Sequence, residues 1–339
     1  MHEHKIELGR REFMLTSAAA IVAATAVPAF AAGDGLDHRN ERPDRMTYRK
    51  LGRTNFVSSR LVFGCGGALA GGRAVKLLEQ AFEQGINFFD VGSNDYYKQS
   101  ENYLAPFYKA HRDEIFVSSK APVRVKTPAP GESLTAEDAQ SAAKRWTDLL
   151  NQSLKDLDTD HIDAYYIMMI DIPEIVKSEE MRKAFETAKA AGKVDWFGIS
   201  THRNAQACLE AAVEAGVYDL AMIAINPAGW YDPFQGGNAK GTQPLNQLRP
   251  VLDRASQAGI GLIGMKAGQG LASAKGDNAL AAYDQFYSPA LMQAALTPFQ
   301  RSYAYVLENG LDVVNADMQN FKHFEENLIA ARTAHTYSA

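Results

Sequence analysis

From residue 60 onwards, short apolar segments alternate with longer amphipathic segments eight times. The apolar segments predict strands buried on both faces, and the amphipathic segments predict helices. Eight strand–helix units in roughly 280 residues favour a closed (β/α)8 TIM barrel over an open doubly wound sheet. An N-terminal β-hairpin that turns at Gly52 is predicted in front of the barrel. The predicted strands are 60–63, 87–90, 114–120, 162–168, 194–200, 220–225, 261–266 and 312–314. The helices after the fourth and seventh strands are predicted over about 175–191 and 289–308.

The first residues of the chain have a composition of their own. Arg10 and Arg11 precede an alanine-rich apolar run over 18–32, which contains the small-residue pattern Ala29-Phe30-Ala31. This order is typical of a twin-arginine signal peptide that a signal peptidase removes. We therefore predict a signal peptide over 1–31.

The segment that follows is polar and rich in Gly, Asp and Arg, so we expect a flexible leader over 32–45 and a single barrel domain over 46–339. An uncleaved anchor is the alternative, but Thr25 and Pro28 make the apolar run a poor permanent membrane span. Export predicts a periplasmic protein that meets the twin-arginine translocase in transit. That route carries folded proteins, so a cofactor bound before export would have to be held tightly.

Charge and cysteine content exclude several classes of function. The net charge is −5 and no Lys/Arg cluster occurs, which speaks against a nucleic-acid partner. Two cysteines are too few for a disulfide framework or a cysteine-ligated metal site, and no metalloprotease or Walker-type motif is present. No metal is expected. A small molecule is the expected ligand.

Two charged residues close neighbouring predicted strands. Asp90 ends the second strand and Lys120 ends the third, so both are expected at the carboxyl-terminal mouth of the barrel, where barrel enzymes place their active sites. A lysine in such a core needs a partner, and Asp90 is the nearest candidate. A tyrosine from the following loop, Tyr96 or Tyr97, would serve as acid or base, with Lys120 lowering its pKa. The alternative is an ion pair without chemistry.

Segments along the whole domain resemble the aldo-keto reductase superfamily. They include Gly85-Ile86-Asn87-Phe88-Phe89-Asp90, Tyr97-Lys98-Gln99-Ser100-Glu101, Val117-Ser118-Ser119-Lys120, Gly198-Ile199-Ser200 and Glu325-Glu326-Asn327-Leu328. The resemblance implies a nicotinamide-dependent oxidoreductase that reduces carbonyls or oxidises alcohols. It also implies an Asp–Tyr–Lys–His catalytic tetrad, with the cofactor lying across the barrel mouth.

Two positions of that tetrad depart from the family pattern. Counting forward from Asp90 places the tyrosine position at Asp95, whereas counting back from Ser100 places it at Tyr97, so Tyr96 and Tyr97 both stay candidates. The histidine position falls on Met168, whose thioether cannot donate a hydrogen bond to a carbonyl. The tetrad is therefore expected to be incomplete.

The resemblance also assigns cofactor contacts. These fall on Ser200 and Thr201 after strand five, Met265 and Lys266 after strand seven, and Glu326 and Asn327 in the last helix. The slots that grip an adenosine 2′-phosphate in the family include Asp317, which would repel a phosphate, so NAD(H) is slightly favoured over NADP(H).

A further group of residues is assigned to the substrate pocket, namely Cys65, Met168, His202 and Trp230. Trp230 either stacks on a ligand or covers the barrel mouth. The sequence thus predicts an exported oxidoreductase with Asp90, Tyr97 or Tyr96, and Lys120 in catalytic roles. The alternative is a non-catalytic barrel that binds a small molecule, such as a saccharide, or a protein partner in the periplasm.

Overall fold

The computed structural model describes residues 40–125, 128, 133–273, 279–333 and 337. Eight parallel strands form a closed barrel, in which each strand pairs with the next barrel strand along the chain and the last, Val313–Ala316, pairs with the first, Leu61–Gly64. With the strands outside the barrel included, the strands of the described residues are β1 (Tyr48–Lys50), β2 (Val57–Ser59), β3 (Leu61–Gly64), β4 (Phe88–Asp90), β5 (Phe116–Pro122), β6 (Ile162–Met168), β7 (Val194–Thr201), β8 (Leu220–Asn226), β9 (Gly229–Asp232), β10 (Gly237–Asn238), β11 (Gly261–Met265) and β12 (Val313–Ala316).

The barrel proper consists of β3 to β8 together with β11 and β12, and helices follow its strands. The predicted (β/α)8 TIM barrel is therefore confirmed. The α-helices are Cys65–Leu69, Leu77–Glu83, Asn94–Tyr97, Ser100–Ala110, Ala136–Asp156, Pro173–Val176, Glu179–Ala190, Ala205–Ala215, Arg249–Gln257, Gln269–Ser273, Pro289–Gln293, Pro298–Glu308 and Phe321–Thr333, and the 3₁₀ turns are Gly52–Thr54, Leu245–Gln247, Ala279–Ala281 and Asp284–Phe286.

The N-terminal hairpin is also confirmed, with β1 antiparallel to β2. Its tip closes the amino-terminal end of the barrel. Leu51 and Phe56 are buried there, and the ring of Phe56 stacks on Phe116 with 4.7 Å between the ring centroids. Arg53 in the turn donates to the carbonyl of Tyr218 over 2.8 Å. Since this end is filled by side chains, a ligand has to enter from the opposite, carboxyl-terminal end.

Capping residues explain where two long predicted helices divide. The sequence predicted one helix over 289–308, but Thr297 caps a new helix at Pro298 through a capping box with Gln300. The helix predicted over 175–191 likewise divides, because Ser178 accepts a hydrogen bond from the Met181 amide and begins a second helix.

The predicted leader, 32–45, is described from residue 40. Asn40 is fully buried, and its side-chain amide donates to the carbonyls of Phe82 and Ile86 over 2.7 and 3.2 Å. This end of the leader is thus attached to the barrel instead of being free. The predicted signal peptide lies outside the described residues. Within those residues, no helix combines the length and the apolar character that crossing a membrane requires.

Candidate active site

A cleft of about 600 Å³ opens at the carboxyl-terminal end of the barrel strands. Of the residues predicted from the sequence for a site, the cleft brings together nine, namely Asp90, Tyr96, Tyr97, Lys120, Met168, Ser200, His202, Met265 and Lys266. The register explains the convergence. Met168 pairs with Ser200 and Met265 pairs with Asn315, so the ends of neighbouring strands stand at similar heights.

Asp90 and Lys120 form a buried ion pair at the base of this cleft. The Lys120 ammonium lies 2.5 Å from Oδ2 of Asp90, and the two residues are only 4% and 3% exposed. The ammonium also donates to the Val91 carbonyl. Because unpaired charges are costly in such surroundings, each residue holds the other in one position. The ion pair predicted from the two strand ends is therefore present.

Two further side chains complete the surroundings of the Asp90 carboxylate, and neither was predicted from the sequence. Ser118 on β5 donates to Oδ1 over 2.7 Å, and Asn315 on β12 donates to Oδ2 over 2.7 Å. Asn315 is 225 positions away from Asp90 in the chain, and only the closure of the barrel brings it close. Asn315 could have been identified only from the pairing of β12 with β3 and of β3 with β4.

Tyr97 is held between two glycines. A methyl group built on Gly66 would lie 2.9 Å from Cζ of Tyr97, and one built on Gly92 would lie 2.7 Å from Cε2. Any larger residue at either position would displace the ring. The Lys120 ammonium lies 5.8 Å from the ring centroid. Tyr96, in contrast, is 44% exposed at the rim of the cleft.

The backbone around Tyr97 is fixed by the start of the following helix. Lys98 and Gln99 both adopt the left-handed conformation, which non-glycine residues rarely do. Ser100 donates to the carbonyl of Gly66 over 2.7 Å, and the buried Glu101 carboxylate accepts from Ser119 over 2.6 Å and from the Asn94 amide over 3.2 Å. The tyrosine loop is thereby tied to β5 and to the segment after β3.

The expected effect of Lys120 on the tyrosine is wrong. Burial, and then the negative charge of Asp90, raise the pKa of Tyr97 instead of lowering it. The reason is geometric, because the Lys120 ammonium is directed at Asp90 and Val91, which leaves little net positive charge for the phenol. Tyr97 therefore stays protonated at neutral pH.

Methionines form much of the cleft wall. Met168, Met169, Met222 and Met265 all line it. Met169 has a φ of +58°, a left-handed conformation that is unusual for a residue with a long side chain. This part of the cleft offers a soft, apolar surface in place of a hydrogen-bond donor.

The cofactor side of the cleft has a cation at one place and an anion at another. Lys266 follows β11 with a φ of +71°, and within the described ranges it makes no salt bridge. Burial lowers its pKa, and the charge of Asp317 acts in the opposite direction. Asp317 is exposed, accepts from Gln319 over 2.8 Å and would lie 2.9 Å from a methyl group on Gly67. Lys266 is the residue of the cleft that would hold the diphosphate of a dinucleotide.

Five predicted site residues do not line the cleft, in contrast to the prediction. Cys65 and Thr201 are fully enclosed, and the Thr201 hydroxyl donates to the carbonyl of Arg203. The indole of Trp230 donates to Gln206 over 3.2 Å, outside the cleft. Glu326 accepts from Thr297 over 2.5 Å, and Asn327 is buried in the last helix. Burial or a hydrogen bond to a neighbour thus accounts for each of these five side chains.

His202 and Phe234 form the opposite rim. Phe234 lies in the loop after β9, and its ring is 56% exposed. The imidazole of His202 meets it edge-on at 6.4 Å, and the Arg203 guanidinium lies 4.8 Å from its centroid. Phe234 was not predicted from the sequence, because its loop lacks periodicity. The antiparallel pairing of β9 with β8, which precedes this loop, is also not visible in the local sequence.

One group of potential metal ligands lies at the opposite end of the barrel, namely His161, Asp163 and Asp195. His161 is already engaged with Asp195 over 3.1 Å, and the Arg112 guanidinium contacts Asp163 over 3.1 Å. These contacts engage all three side chains within the protein, so we assign the group a structural role.

The packing of Tyr97 generates a test that needs no substrate. Gly92→Ala is expected to displace the ring, because the added methyl group has no room. Nitration by tetranitromethane, mapped by mass spectrometry, should mark Tyr96 first in the wild-type chain and should reach Tyr97 only in the variant. The matched control is Gly237→Ala, where a methyl group meets nothing within 4 Å. Equal protection of Tyr97 in all three proteins would contradict the packing argument.

Comparisons with known proteins agree with this geometry. The Aldo/keto reductase family matches residues 63–334. A candidate aryl-alcohol dehydrogenase of Saccharomyces cerevisiae, AAD3, is 30% identical over 130 residues, or 38% of this chain and 35% of that protein. The uncharacterized oxidoreductase YrpG of Bacillus subtilis is 29% identical over 165 residues, or 46% of this chain and 49% of that protein. The matched segments thus span less than half the length of these relatives.

The solved structures show the same barrel. The aldo-keto reductase AKR11C1 from Bacillus halodurans, in its holo form, superimposes with a TM-score of 0.61 at 20% identity, covering 84% of this chain and 90% of that one. Identity at this level speaks for the fold alone. The family match, in contrast, covers most of the chain and includes every barrel strand after the start of β3. The chain therefore belongs to the aldo/keto reductase family.

Proposed function

We propose that this protein is an oxidoreductase that uses a nicotinamide cofactor to interconvert a carbonyl and an alcohol. One observation carries the proposal, namely that the buried Asp90–Lys120 pair adjoins Tyr97 at the mouth of a cleft large enough for a ligand. The names of the family and of its relatives support it. If the chain binds no dinucleotide, the non-catalytic alternative is the better account.

Each residue of the site has a role in the chemistry. A bound reduced nicotinamide supplies a hydride to the carbonyl carbon. Tyr97 gives the substrate oxygen its proton, because burial keeps its hydroxyl protonated. Lys120 helps to position the Tyr97 ring, over which its ammonium lies at 5.8 Å, and Asp90 holds Lys120 in place. Reduction, in which Tyr97 starts from its protonated form, is the proposed direction.

The wall of the cleft indicates the class of substrate. The thioethers of Met168 and Met169 and the exposed ring of Phe234 offer apolar contacts, and Tyr96 adds a second ring at the rim. Flat apolar molecules fit such a surface best. We infer that aromatic or other apolar carbonyl compounds are the substrates, in line with the aryl-alcohol name of one relative.

The proton donor is tested with 4-nitrobenzaldehyde and NADH in single-turnover kinetics. Tyr97→Phe should lower the rate of NADH oxidation by about 10²–10⁴-fold, since it removes the acid. Tyr96→Phe, which removes the neighbouring and more exposed hydroxyl, should keep most of the rate. Equal rates in the two variants would refute the assignment of Tyr97.

We also propose that NAD(H) is preferred over NADP(H). Asp317 lies in the cleft and carries a negative charge that would repel a second phosphate on the ribose. Lys266 remains for the diphosphate that both cofactors share. The preference is therefore a property of one exposed carboxylate.

The preference is tested by calorimetric titration with NADH and NADPH. Asp317→Asn should improve the affinity for NADPH relative to NADH by about tenfold, or about 1.4 kcal/mol. Asp113→Asn serves as the control, because it removes the same charge from an exposed position that precedes β5 at the other end of the barrel. An unchanged ratio of affinities in Asp317→Asn would show that this carboxylate does not select the cofactor.

We propose in addition that the chain is exported to the periplasm by the twin-arginine route. The support is the sequence of the first 31 residues, with Arg10 and Arg11 ahead of the apolar run. A protein exported in the folded state can carry its dinucleotide with it, so tight binding of the cofactor belongs to this proposal.

Export is tested by fractionating cells that express the full chain. Replacing Arg10 and Arg11 together by Lys should retain the protein in the cytoplasm at its uncut mass, because the pair is read by the translocase. Arg45→Lys, beyond the predicted signal peptide, should still yield the shortened periplasmic form. If the twin-lysine variant were exported like the wild type, this route would be excluded.

A further inference from the structure

His202 lies next to the place where Met168 interrupts the tetrad. Met168 ends β6 and pairs with Ser200 on β7. His202 lies two residues after Ser200, directly beyond the end of β7. Ser200, His202 and Met168 all line the cleft. An imidazole thus borders the space that a thioether leaves without a hydrogen-bond donor.

The surroundings of the imidazole determine which nitrogen a ligand can meet. Nδ1 is enclosed, and no hydrogen-bond partner reaches it within the described part of the chain. A buried N–H without an acceptor is costly, so the hydrogen is better placed on Nε2. Nε2 has no hydrogen bond to a described residue either, which leaves an N–H available to a ligand in the cleft.

The charges that face the imidazole keep it neutral. Burial lowers the pKa of His202 to about 4, and the nearby Lys266 and Lys120 act in the same direction, opposed by Asp232. A neutral imidazole can donate one hydrogen bond from Nε2 without competing with Tyr97 as the acid.

We propose that His202 donates this hydrogen bond to the oxygen of the substrate, in the role that the Met168 position does not fill. The inference rests on the proposed reductase function. As the carbonyl π bond breaks, the carbon receives the hydride of the reduced nicotinamide and the oxygen receives the Tyr97 proton. The His202 N–H stabilises the negative charge that builds on the oxygen between these events. His202 is thus a catalytic residue of this chain, although it follows β7 and is not part of β6.

The experiment compares variants of the mature chain with 4-nitrobenzaldehyde and NADH. His202→Leu should lower kcat and kcat/KM together by about 10²–10³-fold, as expected for a donor that acts in the transition state. Its NADH affinity should equal that of the wild type. His202→Gln, which keeps an N–H donor, should retain more activity than His202→Leu. His111→Leu, the same change in a histidine that does not line the cleft, should be fully active.

A second variant separates catalysis from packing. Met168→His in the His202→Leu background returns a donor to the cleft from β6 and should recover part of the lost kcat. A lost packing contact at residue 202 would not be restored in this way. Loss of activity in His202→Leu without recovery by His202→Gln or by Met168→His would therefore overturn the proposal, as would wild-type kcat in His202→Leu.

The wild-type control separates this proposal from the one on which it rests. If the wild-type chain binds NADH and reduces the aldehyde while His202→Leu does so equally well, only the role of His202 fails. If the wild-type chain binds neither NADH nor NADPH, the reductase function fails and the role of His202 fails with it.

Discussion

The carboxylate of Asp90 is the point on which the rest of the site depends. It accepts hydrogen bonds from Lys120 and Ser118 on β5 and from Asn315 on β12. A buried charge is tolerated only when it is compensated so completely, and the compensation in turn fixes each partner. Lys120 is thereby held beside Tyr97. Closure of the barrel is necessary for this arrangement, because β12 supplies one of the donors to β4.

Around this fixed centre, the cleft combines apolar and charged side chains. The thioethers of Met168, Met169, Met222 and Met265 line it, as does the carboxylate of Asp317. The neutral imidazole of His202 and the ammonium of Lys266 remain as the polar groups of the opposite wall. The site thus combines a conventional ion pair with an apolar substrate surface, which accounts for the proposed preference for apolar carbonyl compounds.

Much of this arrangement could be predicted from the sequence, for reasons that are local. Continuous apolar runs identify strands buried on both faces, and a charged residue that closes such a run has to be at the barrel mouth, as Asp90 and Lys120 are. Contacts set by barrel closure could not be predicted in this way, and Asn315 is the clearest case. The direction of the Tyr97 pKa shift was also missed, since it depends on where the Lys120 ammonium is directed. The division of the helix predicted over 289–308 depends on Thr297, whose capping role is visible in the local sequence but was overlooked.

The most direct measurement of the central claim follows the hydride itself. The mature chain is incubated with 4-nitrobenzaldehyde and NADH deuterated at C4 of the nicotinamide on the transferable face, and the alcohol product is examined by mass spectrometry. Both C4-deuterated epimers are used, so that the face need not be known beforehand. The account predicts deuterium on the alcohol carbon with one epimer, and loss of that product in Tyr97→Phe. An alcohol free of deuterium with both epimers, or no alcohol with NADH or NADPH, would contradict it.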